Sequence, residues 1–266
     1  MLNDLTLIVK KFPHDQNVLR VYALGDVHVG SPEFNEEAIK KKIQIIADDP
    51  QGVVCICGDL GDYGLKNSKT NVYKASMQPQ DQQKYIHDLF APIKDKIVSA
   101  VPGNHEERVT RETGICPLYE LCVLWGISDV YRENVAILKV LIGSRGGGRQ
   151  QYAFTGITTH GTSFRKHQRF IATFQGIDWA ISGHSHTPMY SQHGVIRVNS
   201  QPGTATWATY KEIVVDANLK PGGYSIKHEF EVAPPPELQY LELFGTRTND
   251  DNRTSMKIIN YHSIQI

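Results

Sequence analysis

Asp26, Asp59, Asn104, His160 and His184 each stand at, or within two residues of, the end of a short apolar run. His28 and His186 follow two residues after the first and last of them. These are oxygen and nitrogen donors with no thiolate among them. Such a set suits manganese, iron, zinc, cobalt or nickel rather than a soft metal or a structural four-cysteine zinc. Taken singly, an Asp or His at a strand end is more often a turn or cap residue than a ligand. Taken together they form an ordered series: Gly25-Asp26-Val27-His28, Gly58-Asp59-Leu60-Gly61-Asp62, Gly103-Asn104-His105-Glu106, His160-Gly161 and Gly183-His184-Ser185-His186. In open α/β sheets ligands bind outside the carboxyl ends of the strands. Five strand ends delivering such residues would therefore converge on one rim.

The elements that must position them can be read from periodicity. Val21 to Leu24, Val53 to Cys57 and Ile97 to Val101 are short apolar runs, each ending in one of the first three strings. Between them, Glu36 to Ala47 places Ile39, Ile43 and Ile46 at helical spacing. A second helix is predicted from about Pro79 to Ile93, with Tyr85, Ile86, Leu89 and Phe90 inward. Alternation of this kind implies a mostly parallel sheet. The second half is β-rich, with strands at Val135 to Ile142 and Tyr152 to Thr159 joined by a glycine-rich turn. Shorter ones follow at Trp179 to Ile181, Val195 to Val198, Glu212 to Val215 and Tyr224 to Phe230. Two sheets packed face to face are expected. Pro234-Pro235-Pro236 cannot continue a central strand, so residues 1–233 read as the main domain and 234–266 as a tail.

Composition sets limits. At 266 residues the chain can bury a sizeable core. Lys plus Arg equals Asp plus Glu at 28 each, which argues against a broad basic face for gripping nucleic acid but not against a local basic groove. No run of 18 apolar residues exists, so no membrane-spanning helix is expected. The start lacks the pattern of a signal peptide. Four cysteines without a CxxC pair are too few for a disulfide scaffold, and Cys55 and Cys57 alternate on an apolar strand as core residues do. A reducing cytoplasm is the simplest location.

The five strings, complete and in order over residues 25 to 186, resemble the calcineurin-like metallophosphoesterase family. The resemblance implies a four-layer α/β/β/α sandwich and two divalent metal ions, manganese foremost. Asp26, His28 and His186 would hold the first, Asn104, His160 and His184 the second, and Asp59 would bridge both. Two cations roughly 4 Å apart can hold a bridging hydroxide as nucleophile and clamp phosphoryl oxygens for in-line attack. By the same resemblance His105 would protonate the leaving oxygen, a task for a group that titrates near neutral pH. Asp62 would orient it. Arg145 and Arg149 at the glycine-rich turn, and Arg165 after His160, are candidates for contacting substrate phosphate.

Protein serine/threonine phosphatases of that family carry arginines where this chain has Tyr63 and Pro102. Both would grip a dianionic monoester. The strings look more like those of phage and prophage members, and more distantly like the nuclease and phosphodiesterase branches. The expected substrate is thus a phosphodiester, with nucleic acid or a nucleotide as its specific form. A phosphomonoesterase is the alternative. A non-catalytic scaffold would have lost a ligand or the histidine, and neither is lost. Oligomeric state is not legible.

Overall fold

The computed structural model describes residues 3–66, 68, 72–145, 150–162, 164–199, 203–222, 226, 234–247 and 255–266. After β1 (Ile8–Lys11), β2 (Val18–Leu24), β3 (Gly52–Ile56) and β4 (Ile97–Ala100) lie side by side and parallel. Every residue of β3 and β4 is buried, as expected of strands covered on both faces. The connections are α1 (Glu36–Asp48) between β2 and β3, and α2 (Pro79–Phe90) with a short 3-10 turn (Ala91–Lys96) between β3 and β4. Helix α1 starts where the Asn35 side chain accepts from the Ala38 N–H, and it buries Ile39, Ile43 and Ile46. Helix α2 has proline in its first turn and buries Ile86 and Phe90, with Tyr85 and Leu89 partly covered. Two more helices follow β4, α3 (Asn104–Thr113) and α4 (Pro117–Leu124).

The second half begins with the hairpin of β5 (Val135–Arg145) and β6 (Gln150–Thr159). Then come α5 (Phe164–Ile171), β7 (Trp179–Ser182) and a long hairpin of β8 (Met189–Asn199) and β9 (Thr204–Val214). The six-stranded sheet runs β1-β5-β6-β7-β9-β8 and mixes parallel with antiparallel pairs. The strand expected at Tyr224 to Phe230 lies, Ile226 apart, outside the described residues.

The segment expected as a tail is part of the fold. Strands β10 (Glu237–Arg247) and β11 (Ser255–Gln265) form a hairpin, and β10 pairs antiparallel with β2. The second sheet is therefore five-stranded, in the order β11-β10-β2-β3-β4. The chain joins the sheet directly after the three prolines. Leu238, Leu241 and Leu243 are fully buried.

The main core lies between the sheets, where Leu19, Val21 and Leu243 share one buried cluster with Leu138, Val140, Phe154 and Trp179. Helices α1, α2 and α4 add to it from the outer side of the five-stranded sheet. A smaller cluster, with Ile171 and Ile177 against Ile157, Ala180 and Tyr210, seats α5 on the outer face of the six-stranded sheet. The layers are thus helix, sheet, sheet, helix. The cysteines are free, with Cys55 and Cys57 fully buried.

Candidate metal centre

The carboxyl ends of β2, β3, β4, β6 and β7 lead into the five strings. Their loops are zipped together by backbone hydrogen bonds. The N–H groups of Val27 and His28 both donate to Asp59 O, at 2.8 and 3.0 Å, and Gly183 N donates to His160 O at 2.9 Å. Five of the seven donors adopt left-handed backbone: Asp26 (φ 48°), His28 (53°), Asp59 (53°), His184 (70°) and His186 (59°). Such conformations cost L-residues on the order of 1 kcal/mol or more and persist only where surroundings enforce them. The glycines in the strings answer to close approach. A Cβ on Gly183 would lie 2.7 Å from Asp26 Oδ2, and one on Gly103 would fall inside the Asp59 carboxylate. The spacing of each string is therefore set by a donor from another string.

Two half-sites result. Asp26, His28 and His186 bring ligand atoms within 4.8 Å of one another. His28 Nε2 and His186 Nε2 stand 3.0 Å apart. On the other side, Asn104 Oδ1 lies 3.0 Å from His160 Nε2 and 2.8 Å from His184 Nδ1. Asp59 sits between them: it groups with Asp26 and His160, and also with His28 and His105. Its Oδ2 is 3.3 Å from His160 Nε2.

Electrostatics separate the roles. Burial lifts the Asp26 carboxyl to about 8 even though His160 opposes it. Its Oδ1 is buried without a hydrogen-bond partner. A carboxylate so placed needs a cation. Burial and neighbouring histidines hold His28 well below its ordinary value, and burial takes His186 to about 4, so both rings offer neutral nitrogen. Burial lowers His160 but the Asp59 charge outweighs it, raising the ring to about 10. Asp59 goes the other way: burial would raise it, and His160, His105 and His28 hold it well below the carboxylate range. The His160 Nδ1 donates to Cys57 O at 2.7 Å, which fixes the tautomer and turns Nε2 to the centre. Donor set, convergence and the orphaned carboxylate oxygen all fit divalent cations.

His105 is held twice by one residue. Its Nδ1 lies 2.8 Å from the Asp62 carbonyl oxygen and 3.3 Å from Asp62 Oδ1. The closer partner is main chain, which sequence could not foretell. Burial lowers the His105 pKa, but Asp62 and Asp59 reverse this and leave it raised. With Nδ1–H tied back, Nε2 faces Asp59 Oδ2 at 3.8 Å.

Glu106 went unassigned in the sequence although it stands in the third string. It is buried, and it accepts from the N–H groups of Asp59, Leu60 and Gly103, each at 2.8 Å. It clamps the second string to the third. Asp59 Oδ1 in turn accepts from His105 N at 2.8 Å, capping α3 at a position where Gly103 has no side chain to do so. A Gly followed three residues later by Glu was the available sign.

The substrate arginines expected from sequence fare differently. Arg145 pairs with Gln150 at the start of β6, whereas the donor cluster meets β6 at its far end, beside His160. Ten strand residues span on the order of 30 Å. Arg145 is therefore remote from the centre, because the strands on either side of that turn are antiparallel. Arg149 lies outside the described residues. Arg165 stands in the first turn of α5, and its side chain lies outside the described residues. Tyr63 and Pro102 are both buried. Among the described residues no helix is long and apolar enough to cross a membrane.

No curated protein matches the chain in sequence. Among solved structures, Vps29 from Entamoeba histolytica complexed with zinc is similar at 12% identity and TM-score 0.41, over 93% of this chain and 99% of that one. A conserved uncharacterized protein from Streptococcus pneumoniae TIGR4, described as a predicted phosphoesterase, gives 12% and 0.36 over 93% and 98%. Vps29 from Chaetomium thermophilum gives 9% and 0.39 over 93% and 97%. The family model for calcineurin-like phosphoesterases matches residues 19–188, a span that holds all five strings. The chain belongs to the calcineurin-like phosphoesterase family and is a metal-dependent phosphoester hydrolase.

Proposed function

We propose that the protein is a phosphodiesterase that works with two divalent cations, with oligonucleotide cleavage as its specific form. The observation that carries this reading is the placement of Asp59 between two sets of three donors, with His105 Nε2 facing it. Asp26, His28 and His186 would hold one cation, Asn104, His160 and His184 the other, and Asp59 would serve both. Bound there, divalent cations supply Lewis acidity toward phosphoryl oxygens and acidify water. The chain's own tasks are positioning and proton transfer. Glu106 fixes the backbone of Asp59 and Gly103. His160 is oriented by the Cys57 carbonyl. His105, protonated and tied at Nδ1, delivers its Nε2 proton to the departing oxygen.

A diester is favoured over a monoester because no arginine stands at positions 63 and 102, and both residues there are buried. A diester carries one negative charge at the reacting phosphorus, a monoester up to two, so the demand for fixed cations is lower. The test uses manganese-loaded protein and two substrates. Bis(p-nitrophenyl) phosphate should be hydrolysed, with activity abolished by chelator and lowered at least 100-fold in His105→Ala. Cleavage of p-nitrophenyl phosphate with the diester left intact would establish the monoesterase instead. A single-stranded oligonucleotide then decides the specific form: intact oligonucleotide beside a cleaved diester restricts the enzyme to small esters.

A further inference from the structure

Positions 63 and 102 hold Tyr63 and Pro102, so a side-chain cation that grips an anionic oxygen of the substrate would have to stand elsewhere on this chain. Tyr63 is turned inward, its N–H donating to Gln82 Oε1 at 2.8 Å and its hydroxyl to Gln83 Oε1. Helix α3 offers a replacement. Asn104 and His105 open that helix, and Arg108 follows at i+4 and i+3 from them. That spacing puts the three on one face. Helical side chains lean toward the N-terminus, here toward the donor cluster.

Arg108 is half-buried, and among the described residues it makes no hydrogen bond or ion pair. The buried carboxylates of the strings are engaged elsewhere: Asp59 with His105 N and His160, Asp62 with His105, and Glu106 with three backbone N–H groups. A half-buried cation without a hydrogen-bonded protein anion thus follows the proton donor by one turn of the same helix.

We propose that Arg108 is a substrate-binding residue that grips an anionic oxygen of the phosphoester on the leaving-group side. The proposal rests on the hydrolase reading above for its substrate class. A guanidinium presents a planar fork of donors that matches phosphate bidentately, where a lysine acts as a point charge. Partial burial strengthens the contact relative to one in open water.

The experiment compares full-length, manganese-loaded wild type with Arg108→Ala, Arg108→Lys and Arg111→Ala. Arg111 lies one turn further along α3 and is exposed. Two readouts are taken: binding of inorganic phosphate by calorimetry, and kcat and KM on bis(p-nitrophenyl) phosphate. Arg108→Ala should weaken phosphate at least 10-fold and raise KM similarly, with kcat within about threefold. Arg108→Lys should fall between, and Arg111→Ala should change neither readout beyond twofold. Phosphate affinity and KM within twofold of wild type in Arg108→Ala overturn the proposal. So does a fall confined to kcat, which would mean that Arg108 acts through His105. Should the alanine variant fail to fold, the lysine variant decides: a loss of threefold or more supports the grip, and no loss overturns it. If wild type binds phosphate through Arg108 yet cleaves neither ester, the hydrolase reading fails while the anion site stands.

Discussion

At the scale of single residues, the cluster is built by mutual constraint rather than by seven independent side chains. Gly183 is small because Asp26 occupies its Cβ position, and Gly103 because Asp59 does. His160 points its Nε2 inward because Cys57 O takes its other nitrogen. The convergence of these side chains was legible in the sequence because strand-end Asp, Asn and His residues are rare as an ordered set. Support residues were not, since a carbonyl or a buried glutamate leaves no mark beyond its own letter. Glu106 is the strongest case. Glu106→Gln replaces an acceptor oxygen by an NH₂ group facing buried N–H donors, and each unpaired group costs about 1–3 kcal/mol. The variant should lose about 3 kcal/mol of stability by denaturant unfolding in chelator, where metal plays no part. Manganese affinity should fall at least 10-fold as the Asp59 backbone relaxes. Unchanged stability in chelator would show that the three N–H groups find water instead.

At the scale of elements, the parallel core and its helices were legible from period alone, and the hairpin at the end of the chain was not. Pro234-Pro235-Pro236 rules out a central strand at those three positions, and a proline run says nothing about what the chain joins next. From Gln239 to Gly245, strand β10 alternates buried Gln239, Leu241, Leu243 and Gly245 with partly exposed Tyr240, Glu242 and Phe244, which is a half-covered strand by its own pattern. Only the pairing with β2, more than two hundred residues away in sequence, gives that pattern a partner. The junction of β2, α1 and β3 is tied by Asp49, which accepts from Arg20 Nη1 and the Tyr22 hydroxyl at 2.9 Å and from Gln51 N at 3.0 Å. Burial would raise the Asp49 carboxyl, but these partners outweigh it and hold it below the ordinary carboxylate value. A folded pKa below the unfolded one means that the unfolded chain binds the extra proton. The contribution is therefore present above the unfolded carboxylate pKa and lost as pH falls through the folded one. Asp49→Asn should lower stability at pH 7 by about 1–2 kcal/mol. Its difference from wild type should shrink below about pH 4. Equal differences at pH 7 and pH 3 in denaturant titrations would rule the linkage out.

At the scale of the whole molecule, the two sheets meet with their strand ends at a common rim, and the donors lie where the layers come together. Neither sheet could form the centre alone. Asp26, Asp59 and Asn104 come from the ends of β2, β3 and β4, whereas His160, His184 and His186 come from beyond β6 and β7. The rim also gathers what burial penalises: a fully buried Asp26 oxygen without a partner, and five donors in left-handed backbone. Cations binding there should tie the sheets together and offset that cost, so metal and fold must be linked. A ligand at 100 times its Kd stabilises the native state by about 2.7 kcal/mol per site. For a chain of this length each kcal/mol moves Tm by roughly 2–4 °C. Saturating manganese should therefore raise Tm by about 5–10 °C for one cation and further for a second, with chelator reversing the gain. Asp59→Asn should abolish most of this shift, since its carboxylate lies between the two sets of donors, whereas Arg111→Ala, at an exposed position of α3, should keep it. A Tm indifferent to manganese in wild type, with metal content confirmed by elemental analysis, would place the bound metal away from the junction of the two sheets.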